Sequence, residues 1–346
     1  MQIGDIIDHL ESVAPADLQE SYDNSGLIVG ERSTLVNGVL ISLDCTEDIV
    51  HEALAKGCNL IVAHHPIVFI GLKRFNNANY VQRTVQLAIR NDIAIYAIHT
   101  NLDNVFSRGV NGKIAERLGL TNIQILAPKS GRLLKLVTYC PLENEGDIRN
   151  ALFGAGAGHI SKYSECSFTS YGKGSFKGGE GANPAIGEVG ERHVENEAKI
   201  EVVLDKRDKR KVFEALIANH TYEEVAYEMY EMLNSAQSIG SGMIGELPES
   251  LPATEFLQHL KSRMELSVVK YTDTQRDIKT VALCGGSGQF LLGTAMGSGA
   301  DAYISADFKY HEYFDSENKI MICDIGHYES EKYTIDLLYD ILSKKF

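Results

Sequence analysis

Two adjacent histidines, His64 and His65, follow an apolar run that is typical of a buried strand. Neighbouring side chains leave an extended chain in opposite directions, so the pair offers two metal ligands, or one ligand and one hydrogen bond. In open α/β sheets, ligands gather beyond the carboxyl ends of the strands, which is where this pair is predicted to lie. Taken alone, such a pair is more often two hydrogen-bonded loop histidines.

A third candidate histidine, His327, lies where a predicted strand gives way to a helix. His327 and Glu331 are four residues apart and therefore share one helical face. The same face continues through the apolar residues Ile335, Leu338 and Leu342. The imidazole and the carboxylate should therefore point inward, where they need partners such as a divalent cation. The alternative is an exposed pair at a frayed helix start.

Asp103 completes the candidate set, since residues 99–103 again follow a predicted strand. A lone aspartate there is more often a turn or capping residue. Three segments that each bring histidine or carboxylate to a strand end together indicate a metal centre. Three histidines and two carboxylates suit two closely spaced ions with a bridging carboxylate. Mixed nitrogen and oxygen ligands favour zinc, manganese or iron over calcium or magnesium.

A glycine-rich sequence at residues 285–288 follows a predicted strand and opens a predicted helix. Backbone N–H groups in this setting can hold phosphate. The sequence lacks the lysine and the spacing of known phosphate-binding loops, so a tight turn is an equal alternative. The one basic run, residues 206–211, is predicted to be a solvated helix start.

Strands and helices alternate near both ends of the chain, which predicts a parallel sheet covered by helices. The two ends are therefore interpreted as halves of one α/β body. Between residues 131 and 232 the predicted order is strand, helix, strands, helix, strand, which is the ferredoxin-like order. The many glycines of residues 154–190 favour loops and irregular strands there. The predicted fold class is a split α/β body with an inserted ferredoxin-like α+β domain.

The chain has 346 residues, enough for about two domains, and 33 Lys and Arg against 47 Asp and Glu give a net charge of −14. This negative net charge argues against a protein that binds nucleic acid or an anionic membrane through its overall charge. The sequence contains no signal-peptide pattern and no apolar run of membrane-spanning length, so a cytoplasmic protein is expected. The 6 cysteines form no C-x-x-C pair and are interpreted as reduced packing residues.

Five ordered motifs resemble the GTP cyclohydrolase 1 type 2 homologue family, also called the Nif-three-like family. They lie at residues 23–27, 64–66, 99–103, 285–288 and 327–331. Residues 181–184 and 186–190 resemble the inserted domain of longer bacterial members, which is similar to the PII and CutA trimerising fold. Two departures are Tyr22, where Trp is common, and residues 305–307, where Ser-Ala-Asp replaces a usual Thr-Gly-Asp.

The resemblance implies a dinuclear site whose ligands are His64, His65, Asp103, His327 and Glu331. It also implies that residues 1–124 and 246–346 are the halves of the metal-binding α/β body. Residues 125–245 would then form the inserted PII/CutA-like domain. A ring-shaped homohexamer with its metal sites facing a central cavity is implied as well.

The leading functional hypothesis is a metal-dependent hydrolase that acts on a nucleotide-like substrate, with GTP as one candidate. Two divalent ions would lower the pKa of water towards about 7. His99 is the first residue to consider as a proton shuttle, although a structural role is an equal alternative. The main rival is a non-catalytic metal-binding regulator or adaptor whose PII-like domain senses a small molecule. A toroid around DNA would need a basic inner surface, which the composition argues against.

Overall fold

The protein, described over residues 1–346 by a computed structural model, has a mixed α/β fold with three β-sheets. The strands are β1 (Gly26–Val29), β2 (Val39–Ser42), β3 (Leu60–Ala63), β4 (Ala94–Ala97), β5 (Thr121–Lys129), β6 (Leu133–Pro141), β7 (Ser167–Lys177), β8 (Arg192–Asp205), β9 (Tyr227–Glu231), β10 (Ala236–Leu251), β11 (Lys270–Tyr271), β12 (Ile278–Ser287), β13 (Ala302–Ala306) and β14 (Met321–Asp324).

The α-helices are α1 (Ile3–Val13), α2 (Glu47–Ala55), α3 (Tyr80–Arg90), α4 (Thr100–Asp103), α5 (Val110–Leu118), α6 (Glu145–Gly154), α7 (Lys209–Asn219), α8 (Ala253–Met264), α9 (Leu292–Gly297), α10 (His327–Glu331) and α11 (Thr334–Ser343). Short 3-10 helices cover Ala16–Leu18, Leu142–Asn144, Lys206–Asp208, Gln289–Leu291 and Tyr310–Ser316. None of these helices combines the length and the apolar character that crossing a bilayer requires.

Two compact units make up the chain. The first combines residues 1–128 with residues 238–346, and the second is residues 129–237. The first unit therefore draws on both ends of the sequence, and all of the candidate ligands belong to it.

A four-stranded sheet in the first unit has the order β1-β4-β3-β2, in which β2, β3 and β4 are parallel and β1 is antiparallel at the edge. All residues of β3 and β4 are buried, as expected for parallel strands covered on both faces. Ala63 lies opposite Ala97, so the next residues, His64 and Ile98, leave the sheet side by side. This edge is where the first candidate ligands emerge.

A six-stranded sheet in the same unit has the order β11-β14-β13-β12-β10-β5. Its middle strands β12, β13 and β14 are parallel, so their carboxyl ends share one edge. Helix α10 begins at His327, shortly after β14 ends at Asp324. The second set of candidate ligands therefore also follows the carboxyl end of a parallel strand.

The single long closing helix that the sequence predicts is two helices, because α10 ends at Glu331 and α11 begins at Thr334. Tyr333 lies at the junction, with its ring under the Arg117 guanidinium at 3.7 Å and its hydroxyl donating to the Met264 carbonyl at 3.1 Å. These tertiary contacts hold the residue between the helices. The predicted apolar face still points inward, since Leu338 and Leu342 are buried and Ile335 is half-buried.

The second unit follows the element order β6, α6, β7, β8, α7, β9. Its sheet has the order β7-β8-β6-β9, and every neighbouring pair is antiparallel. The core on one face joins Leu136 of β6 and Ile200 of β8 to Ile148 of α6 and Leu216 of α7, all fully buried. The unit thus has its own hydrophobic core.

Part of the glycine-rich segment is more regular than the sequence predicts, because β7 is an uninterrupted strand whose residues 167–177 pair antiparallel with residues 192–202 of β8. Gly174 leaves room in β7 for the Glu197 carboxylate of β8, which a Cβ at this position would displace. The glycine therefore accommodates a cross-strand side chain and does not break the strand.

His220, just after α7, is held in a defined neutral form. Its Nε2–H donates to the Tyr139 carbonyl at 2.9 Å, and its Nδ1 accepts from the Tyr222 N–H at 3.0 Å. Burial lowers the pKa of His220 below its usual value, although the Tyr139 carbonyl and the nearby Glu197 carboxylate oppose this shift. Protonation of Nδ1 would also remove the bond to Tyr222.

The second unit should therefore lose stability as the pH falls below about 6.5, because the unfolded chain protonates His220 before the folded chain does. Hydrogen exchange of β6 and α7 peptides, corrected for its intrinsic pH dependence, should show increased opening in acid. His220→Gln keeps an N–H donor and does not titrate, so its pH dependence should be smaller. Equal pH dependence in the two proteins would contradict this role of His220.

Candidate metal centre

The five predicted ligands and His99 meet at the adjoining carboxyl ends of strands in the first unit. They follow β3 (His64 and His65), follow β4 (His99 and Asp103, at the two ends of α4) or form the ends of α10 (His327 and Glu331). All except His64 line a cavity of about 1340 Å³, and His64 is fully buried beside them. The backbone N–H groups of His64 and His65 extend the ladder by donating to β2 and the residue after it, at 3.1 and 2.9 Å.

The four imidazoles are oriented in the same way. In each ring Nδ1 is occupied, and the Nε2 atoms of His64, His65 and His327 face the Glu331 carboxylate. The Nδ1 partners are the Ile98 carbonyl for His64 (2.8 Å), Asp44 for His65 (2.9 Å), Asp23 for His99 (2.8 Å) and Asp307 for His327 (2.6 Å). Metal-binding histidines in proteins are typically oriented by such a second hydrogen bond.

Glu331 is the centre of the cluster, with only 3% of its side chain exposed. Its Oε2 lies 3.0 Å from His65 Nε2 and 3.2 Å from His327 Nε2, and its Oε1 lies 3.9 Å from His64 Nε2. Asp103 Oδ1 is 3.7 Å from the same His64 Nε2. One carboxylate therefore contacts three imidazoles, and a second carboxylate approaches one of them.

Four polar atoms of this cluster, His64 Nε2, His65 Nε2, Asp103 Oδ1 and Glu331 Oε2, are buried and form no hydrogen bond of acceptable geometry, although they lie within ion-pair distance of one another's side chains. Unpaired buried polar atoms are costly and rare in folded proteins, so several in one place require an explanation. Donor atoms of His64, His65 and His99 lie within 4.8 Å of one another, as do those of His65, His327 and Glu331. A donor set of this composition fits divalent transition metals.

When no cation is bound, protons on the imidazoles balance the negative charge of the Glu331 carboxylate. Burial opposes ionisation of Glu331, but the imidazoles of His327, His64 and His65 hold its pKa well below the usual range. The Glu331 carboxylate in turn raises the pKa of His327 to about 9. Burial lowers the pKa of His65, yet Asp44 and Glu331 outweigh it and raise that pKa to about 10. A metal ion would take the place of these protons.

Asn111 of α5 joins the two groups of ligands. Its Nδ2 donates to the Asp103 carbonyl at 3.0 Å, and its Oδ1 accepts from the Gly285 N–H at 2.8 Å. The side chain is buried. One amide therefore connects the end of α4 to the end of β12.

The glycine-rich loop 285–288 is not a phosphate cradle, because most of its N–H groups are already used. Their acceptors are Asn111 Oδ1 for Gly285 (2.8 Å), Ser330 Oγ for Gly286 (2.9 Å) and Ser305 Oγ for Gly288 (2.9 Å). Residues 285–287 also belong to β12, which extends beyond its predicted end.

Gly286 makes room for the central carboxylate. It has a φ of +62°, and a Cβ at this position would collide with Glu331 Oε1 and lie 3.3 Å from His327 Nε2. Only glycine combines this backbone conformation with the close approach of the carboxylate. The loop therefore leaves the space in which Glu331 lies.

The sequence motifs identify the candidate ligands but not the three aspartates that accept hydrogen bonds from the imidazoles and orient them. Asp23 belongs to one of the five motifs, and Asp307 belongs to the segment that departs from the family pattern, but neither was assigned a role. Asp44 follows β2 as His65 follows β3, so its place at a parallel strand end is a signal that could have found it. Asp307 has a φ of +61°, which the sequence does not reveal.

Removing one ligand should lower the metal content. We expect purified His64→Ala and Glu331→Ala to retain less metal than the wild-type protein, and Glu331→Ala to lose most because its carboxylate contacts three imidazoles. His51→Ala, an exposed histidine of α2, is the matched control and should keep the wild-type content. Elemental analysis of all four proteins is the measurement. Unchanged metal in both ligand variants would refute the site.

Gly286→Ala should reduce both metal content and stability, because the new Cβ requires strained backbone and displaces Glu331. A destabilisation of about 1–3 kcal/mol is expected for such strain. Gly293→Ala is the control, since Gly293 lies inside α9 with open space around its Cβ position. That change should stabilise the protein by about 0.5–1 kcal/mol and leave the metal content unchanged. Urea unfolding and elemental analysis measure the two effects, and equal behaviour of the variants would contradict the prediction.

Known proteins resemble this chain over nearly its whole length. A Halalkalibacterium halodurans protein named GTP cyclohydrolase 1 type 2 homolog is 38% identical over 325 residues, covering 93% of this chain and 87% of that protein. A Bacillus subtilis protein of the same name is 38% identical over 326 residues, with the same coverage. The crystal structure of a Bacillus cereus protein related to NIF3 superposes with a TM-score of 0.86 at 36% identity, covering 100% of this chain and 94% of that one. The family model Duf34/NIF3 (NGG1p interacting factor 3) matches residues 1–346, and the chain therefore belongs to this family.

Proposed function

We propose that this protein is a dinuclear metal-dependent hydrolase that acts on a nucleotide-like small molecule, with GTP as the first candidate. The observation that carries the proposal is the convergence of unpartnered, buried imidazole and carboxylate atoms at a cavity of about 1340 Å³. The name of the Halalkalibacterium halodurans relative, GTP cyclohydrolase 1 type 2 homolog, supports a nucleotide as the first substrate to test.

Two metal positions follow from the two sides of the Glu331 carboxylate. Oε1 faces His64, which is also the imidazole nearest to Asp103. Oε2 faces His65 and His327. We propose that these five residues would hold the metal, with His64 and Asp103 on one side of the Glu331 carboxylate and His65 and His327 on the other. Mixed nitrogen and oxygen ligands of this kind suit zinc, manganese or iron.

When bound, two divalent ions lower the pKa of water towards about 7 and so supply a nucleophile at neutral pH. The protein's own groups hold the ligands in place. Asp44 and Asp307 orient the rings of His65 and His327, and Gly286 leaves space for the bridging carboxylate.

His99 is the group that we assign to proton transfer. Its Nδ1–H donates to Asp23 at 2.8 Å, and Asp23 is itself held by the Thr100 N–H at 3.0 Å. Burial opposes ionisation of Asp23, but the bonds from His99 and Thr100 hold its pKa well below the usual range. Asp23 therefore stays ionised and fixes the ring, so that Nε2 is left to accept or donate a proton in the cavity.

We also propose that the second unit is a ferredoxin-like module inserted between the halves of the metal-binding body. Its order of strand, helix, two strands, helix and strand supports this assignment. The sheet order β7-β8-β6-β9 places the first strand of the unit, β6, at the centre and pairs it with both β8 and β9.

The proposal is tested by incubating the metal-loaded protein with GTP and a panel of other nucleotides and phosphoesters, followed by chromatographic separation of the products. We expect turnover of at least one nucleotide that disappears when the metal is stripped and returns when it is restored. A metal-loaded protein that leaves the entire panel unchanged would overturn the proposed function.

His99→Gln separates proton transfer from metal binding. As a proton-transfer group, His99 should be worth about 10²- to 10⁴-fold in kcat. The variant should therefore turn over its substrate that much more slowly while retaining wild-type metal content. His51→Gln is the matched control, with unchanged rate and metal. Loss of metal from His99→Gln would show instead that His99 is a ligand.

A further inference from the structure

Two cations, Lys73 and Arg74, are the lysine and arginine that line the cavity of the candidate metal centre. Both lie on the loop between β3 and α3, and both are exposed. Neither forms an ion pair or a hydrogen bond with another residue of the chain. In a chain with a net charge of −14, two adjacent unpaired cations at one cavity indicate a site for an anion.

The acidic groups that line the same cavity already have partners. Asp44 accepts from His65, and Glu20 accepts from the Asn104 amide at 2.9 Å. Asp103 and Glu331 belong to the metal ligand set. The two cations are therefore not neutralised by the carboxylates around them.

The loop that carries these cations is held at both ends. Asn24 Nδ2 donates to the Val68 carbonyl at 2.6 Å, and Gln82 Oε1 accepts from the N–H groups of Asn76 and Ala78 at 3.2 and 3.0 Å. Leu72, which directly precedes the two cations, packs against the core of the first unit. The loop thus places Lys73 and Arg74 at the cavity without using their charges.

The glycine-rich loop in the same cavity wall does not offer a second phosphate site. The N–H groups of Gly285, Gly286 and Gly288 are occupied by side-chain acceptors. We propose that Lys73 and Arg74 bind the phosphate of a phosphorylated substrate, whose hydrolysed part lies at the histidine cluster. The guanidinium can contact two phosphate oxygens at once, and the ammonium adds a point charge.

Phe69 supports a nucleoside phosphate over a simple phosphate ester. Its ring, 49% exposed, meets the His99 ring edge-on at 5.6 Å, and it lies four residues before Lys73 on the same loop. An aromatic surface next to the cluster can pack against a planar base. A nucleotide bound in this way would place its base beside the histidine cluster, so the cleaved bond would belong to the base or sugar end.

The inference rests on the proposed function only for the cleavage step, so its test measures binding. Titration calorimetry on the metal-free full-length protein, with GTP, tripolyphosphate and guanosine as probes, keeps phosphate from binding to metal. We expect GTP and tripolyphosphate to bind the wild-type protein and to bind Lys73→Ala/Arg74→Ala at least about tenfold more weakly. Guanosine should bind both proteins equally.

Two further variants make the comparison specific. Lys209→Ala/Lys211→Ala removes the same charge from the exposed first turn of α7 in the second unit, and should bind GTP as the wild type does. Lys73→Arg/Arg74→Lys keeps both charges and should retain most of the affinity. Equal GTP affinity of Lys73→Ala/Arg74→Ala and the wild type, or no binding of GTP and tripolyphosphate by the wild type, would overturn the inference.

Failure of this inference is distinguishable from failure of the proposed function. Binding that depends on Lys73 and Arg74 without hydrolysis by the metal-loaded protein would refute the hydrolase and leave the anion site standing. Hydrolysis with an unchanged KM in Lys73→Ala/Arg74→Ala would support the hydrolase and refute the anion site.

Discussion

The burial of one carboxylate, that of Glu331, is the constraint on which the architecture of the first unit depends. A carboxylate with 3% of its side chain exposed is strongly destabilising unless positive charge surrounds it. The imidazoles of His64 and His65, which follow β3, and of His327 in α10 provide that positive charge. Because they come from distant parts of the sequence, both sheets have to present strand ends to one point. The glycine at residue 286 and the hydroxyl of Ser330 then adapt the neighbouring backbone to the same group.

The aspartates around the cluster show how an acidic chain can build a site of this kind. Asp23, Asp44 and Asp307 each accept from one imidazole and point away from the ligand atoms. They fix the ring orientation without competing for the ion. The −14 net charge is therefore a poor guide to the potential at the cavity, where protonated imidazoles or bound cations balance the acids and two further cations lie at the wall.

Features encoded by local pattern could be predicted from the sequence. The continuous apolar runs of β3 and β4 predict buried strands, and every residue of both strands is buried. Features that arise from distant contacts could not be predicted. The break between α10 and α11 lies at Tyr333, which contacts Arg117 and Met264 from distant parts of the chain, and the need for Gly286 comes from Glu331. The hairpin of β7 and β8 was underestimated because Gly174 serves a cross-strand contact, which glycine content alone does not show.

The order of the ligands along the chain has a consequence for biogenesis. His64, His65 and Asp103 are translated before the second unit, whereas His327 and Glu331 follow it. The Glu331 carboxylate is thus among the last groups of the cluster to leave the ribosome, and until then the early candidate ligands form only an incomplete set. The full donor set can be assembled only after residues 129–237 have been synthesised, so a metal ion that needs His327 or Glu331 would be bound by the completed polypeptide and not by the nascent chain.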